Sequence, residues 1–279
     1  MISNHKESSG LNYPSSGGGK GIGIGVHHTA DRVIIPLSEG SFTVDKTKLF
    51  VPFSQAEDEL QKRPAGSLLV EIQPFLVVTS KDILLLDAGL GFHKGKDNRM
   101  QIHVNMEMHG IKPEQVTKVL MSHLHKDHAG GVCRENNHEQ LSFPNATYYV
   151  RKKELDFAME TGFPSFIPDE LKALQSSPQV HFLHDDEGVI DDYVFYRHTG
   201  AHSPHHQVFW IKENNETIFF GGDDAPQLHQ MKIKYKTKYD FNPDKAMQLR
   251  QQWWQQGKEE GWRFLFYHDI THPIASPHS

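Results

Sequence analysis

Four potential metal ligands fall within six residues in the segment Val119-Leu-Met-Ser-His-Leu-His-Lys-Asp-His-Ala-Gly-Gly131: His123, His125, Asp127 and His128. Imidazole and carboxylate are donors that hold divalent transition metals. Alternation along extended backbone puts His123 and His125 on one side, where both rings can reach one ion. A turn at Gly130 and Gly131 then brings Asp127 and His128 toward a second. Cys133 is the single cysteine, which excludes an intrachain disulfide and any zinc site built on two or more thiolates. Any metal is therefore held by histidine and carboxylate, and Cys133, beside Val132, reads as a small packing residue.

Further candidates follow apolar runs elsewhere in the chain. Asp87 ends Ile83-Leu-Leu-Leu-Asp, with a plain turn residue as the rival reading. His202 and His206 lie in Thr199-Gly-Ala-His-Ser-Pro-His-His206. Asp223, with Asp224 as its rival, follows Ile218-Phe-Phe-Gly-Gly, and His268, with His272 as its rival, follows Phe264-Leu-Phe-Tyr.

The motif His123-x-His125-x-Asp127-His128-Ala-Gly-Gly resembles the signature of the metallo-β-lactamase fold hydrolases, and the other candidates extend the resemblance over about residues 33–270. The resemblance implies one ion held by His123, His125 and His202, another by Asp127, His128 and His268, and Asp223 bridging them. Asp223 is preferred to Asp224 because it directly follows the Gly-Gly turn, and His268 to His272 because the latter lies past the strand end. Asp87 and His206 are placed to support the ligands without binding metal. The implied cofactors are two divalent transition metal ions, zinc first among them. The implied chemistry is attack by a bridging hydroxide, since a metal lowers the pKa of bound water toward ~7. Asp127 would pass a proton to the leaving oxygen. Ligation needs neutral imidazole, so acid should strip such a site.

Within that family the spacing from the ligand loop to His202, Asp223 and His268 resembles the N-acyl homoserine lactone lactonases and related organophosphate or ester hydrolases, as does the opening Pro36-Leu-Ser-Glu-Gly-Ser-Phe-Thr-Val44. Lactone opening, a quorum-quenching activity, is the first expectation. Phe42, Phe50, Phe53, Phe92, Met106 and Met108 are candidates to line an acyl pocket. Pro226 stands where many such lactonases carry a tyrosine, so the carbonyl loses that donor unless His229 or a backbone N–H replaces it. Thioester hydrolysis of the glyoxalase type is the enzymatic alternative, with β-lactam hydrolysis behind it. A metal-binding protein without catalysis would keep the ligands but need no open pocket.

The elements that must position these residues alternate short β-rich runs with helices, in an order that suits an α/β fold of two packed sheets with helices outside. The resemblance names it as the four-layer αββα sandwich. Consecutive strands of a largely antiparallel sheet are predicted at Val33–Leu37, Ser41–Val44, Leu68–Ile72, Phe75–Thr79 and Ile83–Asp87. Helices are predicted at Lys152–Glu160, Asp169–Ser176 and Pro243 to about Gln256. Residues 1–30 read as a flexible Gly/Ser-rich tail and 31–279 as a single domain.

Composition bounds the partners. The formal charge is −6, and the one basic feature, Lys232, Lys234, Lys236 and Lys238, reads as a lysine-protected strand edge; nucleic acid is not an expected partner. No run approaches the ~18 apolar residues of a membrane span. The start lacks a basic segment followed by an apolar one, so a cytoplasmic location is expected. Trp253 and Trp254 cannot both point inward on one helix, which suggests a homodimer or a substrate mouth. The chain carries 20 histidines, roughly three times an ordinary share. Only six of them enter the site, so spacing and not abundance makes the case.

Overall fold

Alternation along the strands decides the architecture. Leu84 and Leu86 face one apolar cluster while Leu85, between them, faces another, and Phe209 and Ile211 are separated from Val208 and Trp210 in the same way. Both sheets are therefore covered on two faces. The structure, a computed structural model, describes residues 27–28, 33–94, 99–134 and 137–277, so the expected tail lies outside the described residues except at 27–28.

One sheet has seven strands in the spatial order His27–His28, Val33–Pro36, Phe75–Val78, Ile83–Leu86, Lys118–Leu120, Thr147–Arg151 and Val180–Leu183. The other has six, Glu187–Ile190, Val194–His198, Gln207–Glu213, Glu216–Phe220, Arg263–Leu265 and Ile274–Ala275. Three apolar clusters fill the gaps between four layers: helices on the first sheet, the first sheet on the second, and the second sheet on the helices Leu228–Lys232 and Pro243–Glu260. Each fully buried Leu, Ile or Phe contributes ~1.5–3 kcal/mol before entropy is counted. The expected αββα sandwich is borne out.

The predicted run of antiparallel strands is divided. Gly40–Val44 pairs on one side with Phe50–Pro52 and on the other with Leu68–Ile72 in a separate three-stranded sheet. From Ile83–Leu86 onward the first sheet is parallel, because its chain returns through crossover segments instead of hairpins. The 169–176 helix is broken into a 3-10 turn, Pro168–Leu171, and an α-turn, Lys172–Ser176. Pro243–Glu260 runs four residues beyond its predicted end; Asn242 caps its start and Gly261, at φ +70°, ends it.

Two other expectations are corrected. Trp253 and Trp254 are both buried: Trp253 packs on Phe219, with ring centroids 4.9 Å apart, and Trp254 on Phe264 at 5.2 Å. Leu228 and Met231 of the preceding short helix widen the apolar surface the two rings share, and Lys232 caps the face of Trp254. With both rings buried, neither is left to meet a second subunit. The lysine stripe is not a strand either. Lys232 ends a helix, and residues 233–239 form an unpaired stretch whose lysines are exposed while Tyr235, Thr237 and Tyr239 turn inward. Among the described residues, no helix is long and apolar enough to cross a membrane.

The first helical layer contains an acid-sensitive contact. His103, in the helix Gln101–Met108, packs edge-on against Phe143, and among the described residues its Nε2 has no hydrogen-bond partner. Burial pulls this imidazole down from 6.5 to about 4. The unfolded chain then binds the proton more readily, so the stabilisation is complete above pH 6.5 and is lost as pH falls toward 4. His103→Leu is expected to reduce the loss of stability between pH 7 and 5 by about 2 kcal/mol, read from urea melts at the two pH values. Equal losses in both proteins would refute this.

Candidate metal centre

The ligand loop follows the C-terminal end of the Lys118–Leu120 strand, an inner strand of the first sheet, and residues Lys126–Ala129 close into a single helical turn with His125 as its N-cap. Gly130 and Gly131 are needed for close approach and not for the turn. Gly130 has ordinary helical angles, and a Cβ at Gly131 would stand 2.1 Å from the Ala88 carbonyl oxygen. The loop after Asp87 is thereby pressed against the ligand loop.

Seven side chains from four segments meet there. His123 Nε2 lies 2.9 Å and His202 Nε2 3.2 Å from His125 Nδ1. Asp223 Oδ2 lies 3.1 Å from His202 Nε2, and its Oδ1 lies 3.1 Å from His128 Nε2 and 2.9 Å from His268 Nε2. Asp127 Oδ2 completes the far side, 3.5 Å from His268 Nε2 and 3.7 Å from His128 Nε2. Ligand atoms of His123, His125, His202 and Asp223 fall within 4.8 Å of one another, as do those of Asp127, His128 and His268.

The outer nitrogens explain why the inner ones face the centre. His128 Nδ1 lies 2.7 Å from Asp87 Oδ2, His202 Nδ1 3.0 Å from Asp240 Oδ1, and His268 Nδ1 donates to the Glu71 carbonyl at 2.7 Å. Each partner fixes the tautomer that points an Nε2 lone pair inward. Those lone pairs meet one another and the Asp223 carboxylate, an arrangement that is repulsive without positive charge between them. Two buried atoms, His128 Nε2 and Asp223 Oδ1, have no aligned hydrogen-bond partner among the described residues despite their short separation. A donor set of imidazoles and carboxylates with orphaned, converging lone pairs fits divalent metal.

The electrostatics agree. Burial and the neighbouring imidazoles hold His123 and His125 well below the usual histidine range. Burial alone would also pull down His128, His202 and His268, but Asp223 and the other facing carboxylates raise all three. Burial would raise Asp223, yet His268, His128 and His202 hold its carboxyl well below the carboxylate range. The pocket is thus built for positive charge beside Asp223.

Asp224 turns away from the imidazole cluster: Oδ1 accepts from His202 N and Oδ2 lies 3.1 Å from His206 Nδ1. His206 Nε2 in turn accepts from Asp223 N at 3.2 Å. His272 is exposed beside Asp269. Asp87 sits at φ +55°, a left-handed conformation favoured by glycine, and accepts from Ser122 N, Ser122 Oγ and His128 Nδ1.

Several supporting residues have no sequence signal. Asp240 follows the lysine stripe, and the buried Arg250 donates to the Asp224 and Tyr235 carbonyls, tying that stretch to the centre. Tyr267 stacks on His128 at 4.0 Å and donates to the Asp127 carbonyl. Glu154 accepts from Leu124 N and Ser203 Oγ, joining the first ligand loop to the second. Cys133 is buried, and burial pushes its thiol up to about 11.

A cavity of about 390 Å³ opens onto the cluster, with His125, Asp127, His202, Asp223 and His268 on its floor. Of the expected acyl-pocket residues only Phe50 lines it. Phe42 and Met106 belong to the core, Met108 is exposed, and Phe53 and Phe92 line neighbouring clefts. Val44, Leu68, Leu69 and Val70 supply the apolar wall instead, because the small three-stranded sheet folds over the site. His229 is exposed toward the adjacent cleft and is not available to replace the donor absent at Pro226.

The sequence profile of the metallo-beta-lactamase superfamily matches residues 71–259, and the chain belongs to that superfamily. The sequence-based expectation of a metal-dependent hydrolase scaffold is borne out at that level. More particularly, a stretch of 119 residues is 31% identical to the N-acyl homoserine lactonase AttM of Azorhizobium caulinodans, covering 37% of this chain and 38% of that protein. The match therefore spans well under half of this curated relative. Among solved structures, a probable metal-dependent hydrolase from Staphylococcus aureus superposes with a TM-score of 0.73 at 20% identity, over 90% of this chain and 94% of that one. AidC, a dizinc quorum-quenching lactonase solved with a product, N-hexanoyl-L-homoserine, gives 0.68 at 18% identity over 90% and 92%. These likenesses establish the fold.

Proposed function

We propose that this chain is a dinuclear metal-dependent hydrolase that opens the lactone ring of N-acyl homoserine lactones. The observation that carries the reading is the open cavity of about 390 Å³ ending on the imidazole–carboxylate cluster, since a protein that only stored metal would need no such access. His123, His125 and His202 would hold one ion, Asp127, His128 and His268 the other, with Asp223 between them. Two bound divalent ions, with zinc as the first expectation, supply Lewis-acid chemistry: activation of water at neutral pH and polarisation of the scissile carbonyl.

The chain's own residues do the rest. Val44, Leu68, Leu69 and Val70 give an acyl chain an apolar wall and keep bulk water from it. Asp127 faces the cavity beside the cluster, where its carboxyl can hold a proton for the leaving oxygen of the opened ring. The Tyr267 bond to the Asp127 carbonyl and the Asp87 bond to His128 fix the helical turn that carries both residues. The 31% identity to a lactonase segment favours lactones over thioesters, phosphotriesters or other esters on the same scaffold.

The test is metal analysis of gently purified protein together with a hydrolysis panel. Two equivalents of transition metal per chain are expected. Homoserine lactones of several acyl lengths should be opened at least ~100-fold faster than a glutathione thioester, a phosphotriester or a β-lactam, with His123→Ala as the blank, a ratio equivalent to about 2.7 kcal/mol. Turnover of the thioester alone, or metal near zero, would overturn the reading.

A further inference from the structure

The floor of the cavity is accounted for by the metal centre, but its rim is not. Lys48, Arg63 and Lys126 line the same cavity, and among the described residues none of the three forms an ion pair with a carboxylate. Arg63 Nε donates to the Leu60 carbonyl. The Lys126 ammonium stands over the rings of Phe50 and Phe163, and that of Lys48 is 4.7 Å from the centroid of Tyr239. Ring faces attract these ammonium groups without pairing them with a carboxylate. The carboxylates that share the cavity, Asp127, Asp223 and Asp240, face the histidine cluster on its floor. Glu170 lines the adjoining cleft with Lys126 and, like Asp127, attracts its charge from beyond ion-pair distance.

Two further features point the same way. Lys48 has φ +59° at the tip of the hairpin between Gly40–Val44 and Phe50–Pro52, its N–H donating to the Asp45 carbonyl. Glycine or asparagine suits that conformation better than lysine, so the turn does not explain the side chain found there. In addition, Ser67 Oγ and the Tyr239 hydroxyl, both on residues of the cavity wall, are buried without a hydrogen-bond partner among the described residues. Unpaired cations and orphaned hydroxyls around one apolar-walled cavity describe a receptor for an anion at the end of a chain.

We propose that Lys48, Arg63 and Lys126 form an anion-recognition rim, and that the substrates of this site are acyl lactones or esters whose far end carries a carboxylate or phosphate instead of a neutral alkyl terminus. The inference rests on the hydrolase reading of the same site and narrows its substrate class.

The test is calorimetric titration of the metal-loaded protein with ring-opened products of matched length: hexanoyl-homoserine, its analogue with a carboxylate at the chain end, and its analogue with a terminal phosphate. The anion-ended products should bind at least ~10-fold tighter than the neutral one, with an advantage that shrinks on raising salt from about 0.05 to 0.5 M. The tighter of the two anionic arms identifies the native terminus. In the double variant Lys48→Gln/Arg63→Gln the preference should fall below ~3-fold. Equal or absent binding of all three products, or a preference untouched by the double variant, overturns the rim. Hydrolysis of the matched lactones is read separately. If no lactone opens while anion-ended products bind tighter, the lactonase reading fails and the rim stands; if all open alike and the products bind alike, the reverse holds.

Discussion

Asp223→Ala is expected to reduce kcat/KM by at least ~1000-fold, about 4 kcal/mol of transition-state stabilisation, and to cut bound metal from two ions per chain to one or none. The size follows from position. Both carboxylate oxygens stand within 3.1 Å of the ring nitrogens of His128, His202 and His268, so the Asp223 carboxylate joins the two halves of the cluster. Without it, five imidazoles converge on a volume whose remaining carboxylate, Asp127, lies 3.5 Å from the nearest of them. The fold should survive, because the Asp223 backbone N–H still reaches His206 Nε2 and the Oδ1 atom it loses had no aligned hydrogen bond. Metal-free variant and metal-free parent should therefore melt within a few degrees of each other, while the rise in Tm on adding zinc should be lost. Asp224→Ala is the matched control: it removes anchors of His202 N and His206 and should cost less activity. If Asp224→Ala instead loses the metal and Asp223→Ala keeps it, the two residues exchange roles.

The sequence carried the strands and the first ring of donors because both are written in local pattern. The run Ile83–Leu86 is apolar at every position, and it sits between two cores. His123, His125, Asp127 and His128 are close in the chain, so their spacing was informative by itself. What could not be read were the supports and walls that distant segments supply outside the family motif. Asp240 supports His202 across 38 residues and Tyr267 supports Asp127 across 140; neither has neighbours that mark it. The cavity wall was misassigned for the same reason. Its apolar residues come from a small sheet whose folding over the site depends on pairing between Gly40–Val44 and Leu68–Ile72, not on any local signal. The two tryptophans failed in another way: helical geometry sets adjacent side chains apart, but a second helix supplied the missing cover.

Asp87→Ala is the prediction that separates support from ligation. Asp87 is fully buried and contributes no atom to the cavity wall, yet it accepts three hydrogen bonds, from Ser122 N at 2.7 Å, Ser122 Oγ at 2.6 Å and His128 Nδ1 at 2.7 Å. Its removal strands a backbone N–H and an imidazole N–H in the interior, each costing ~1–3 kcal/mol, so a loss of about 3–5 kcal/mol in stability is expected from urea unfolding of the metal-free protein. Replacement by alanine also relieves little of the backbone strain at φ +55°, since alanine gains nothing in the left-handed region. Metal affinity should fall ~10–100-fold, with both ions still bound at saturating zinc, because the ring of His128 loses the partner that orients it but keeps its own donor nitrogen. Asp87→Asn distinguishes the charge from the contacts. It preserves an acceptor for Ser122 N while presenting either an amide N–H or a neutral oxygen to His128, so it should recover most of the stability and little of the metal affinity. Recovery of both by asparagine would mean that Asp87 acts through geometry alone, and loss of neither in the alanine variant would remove it from the centre altogether.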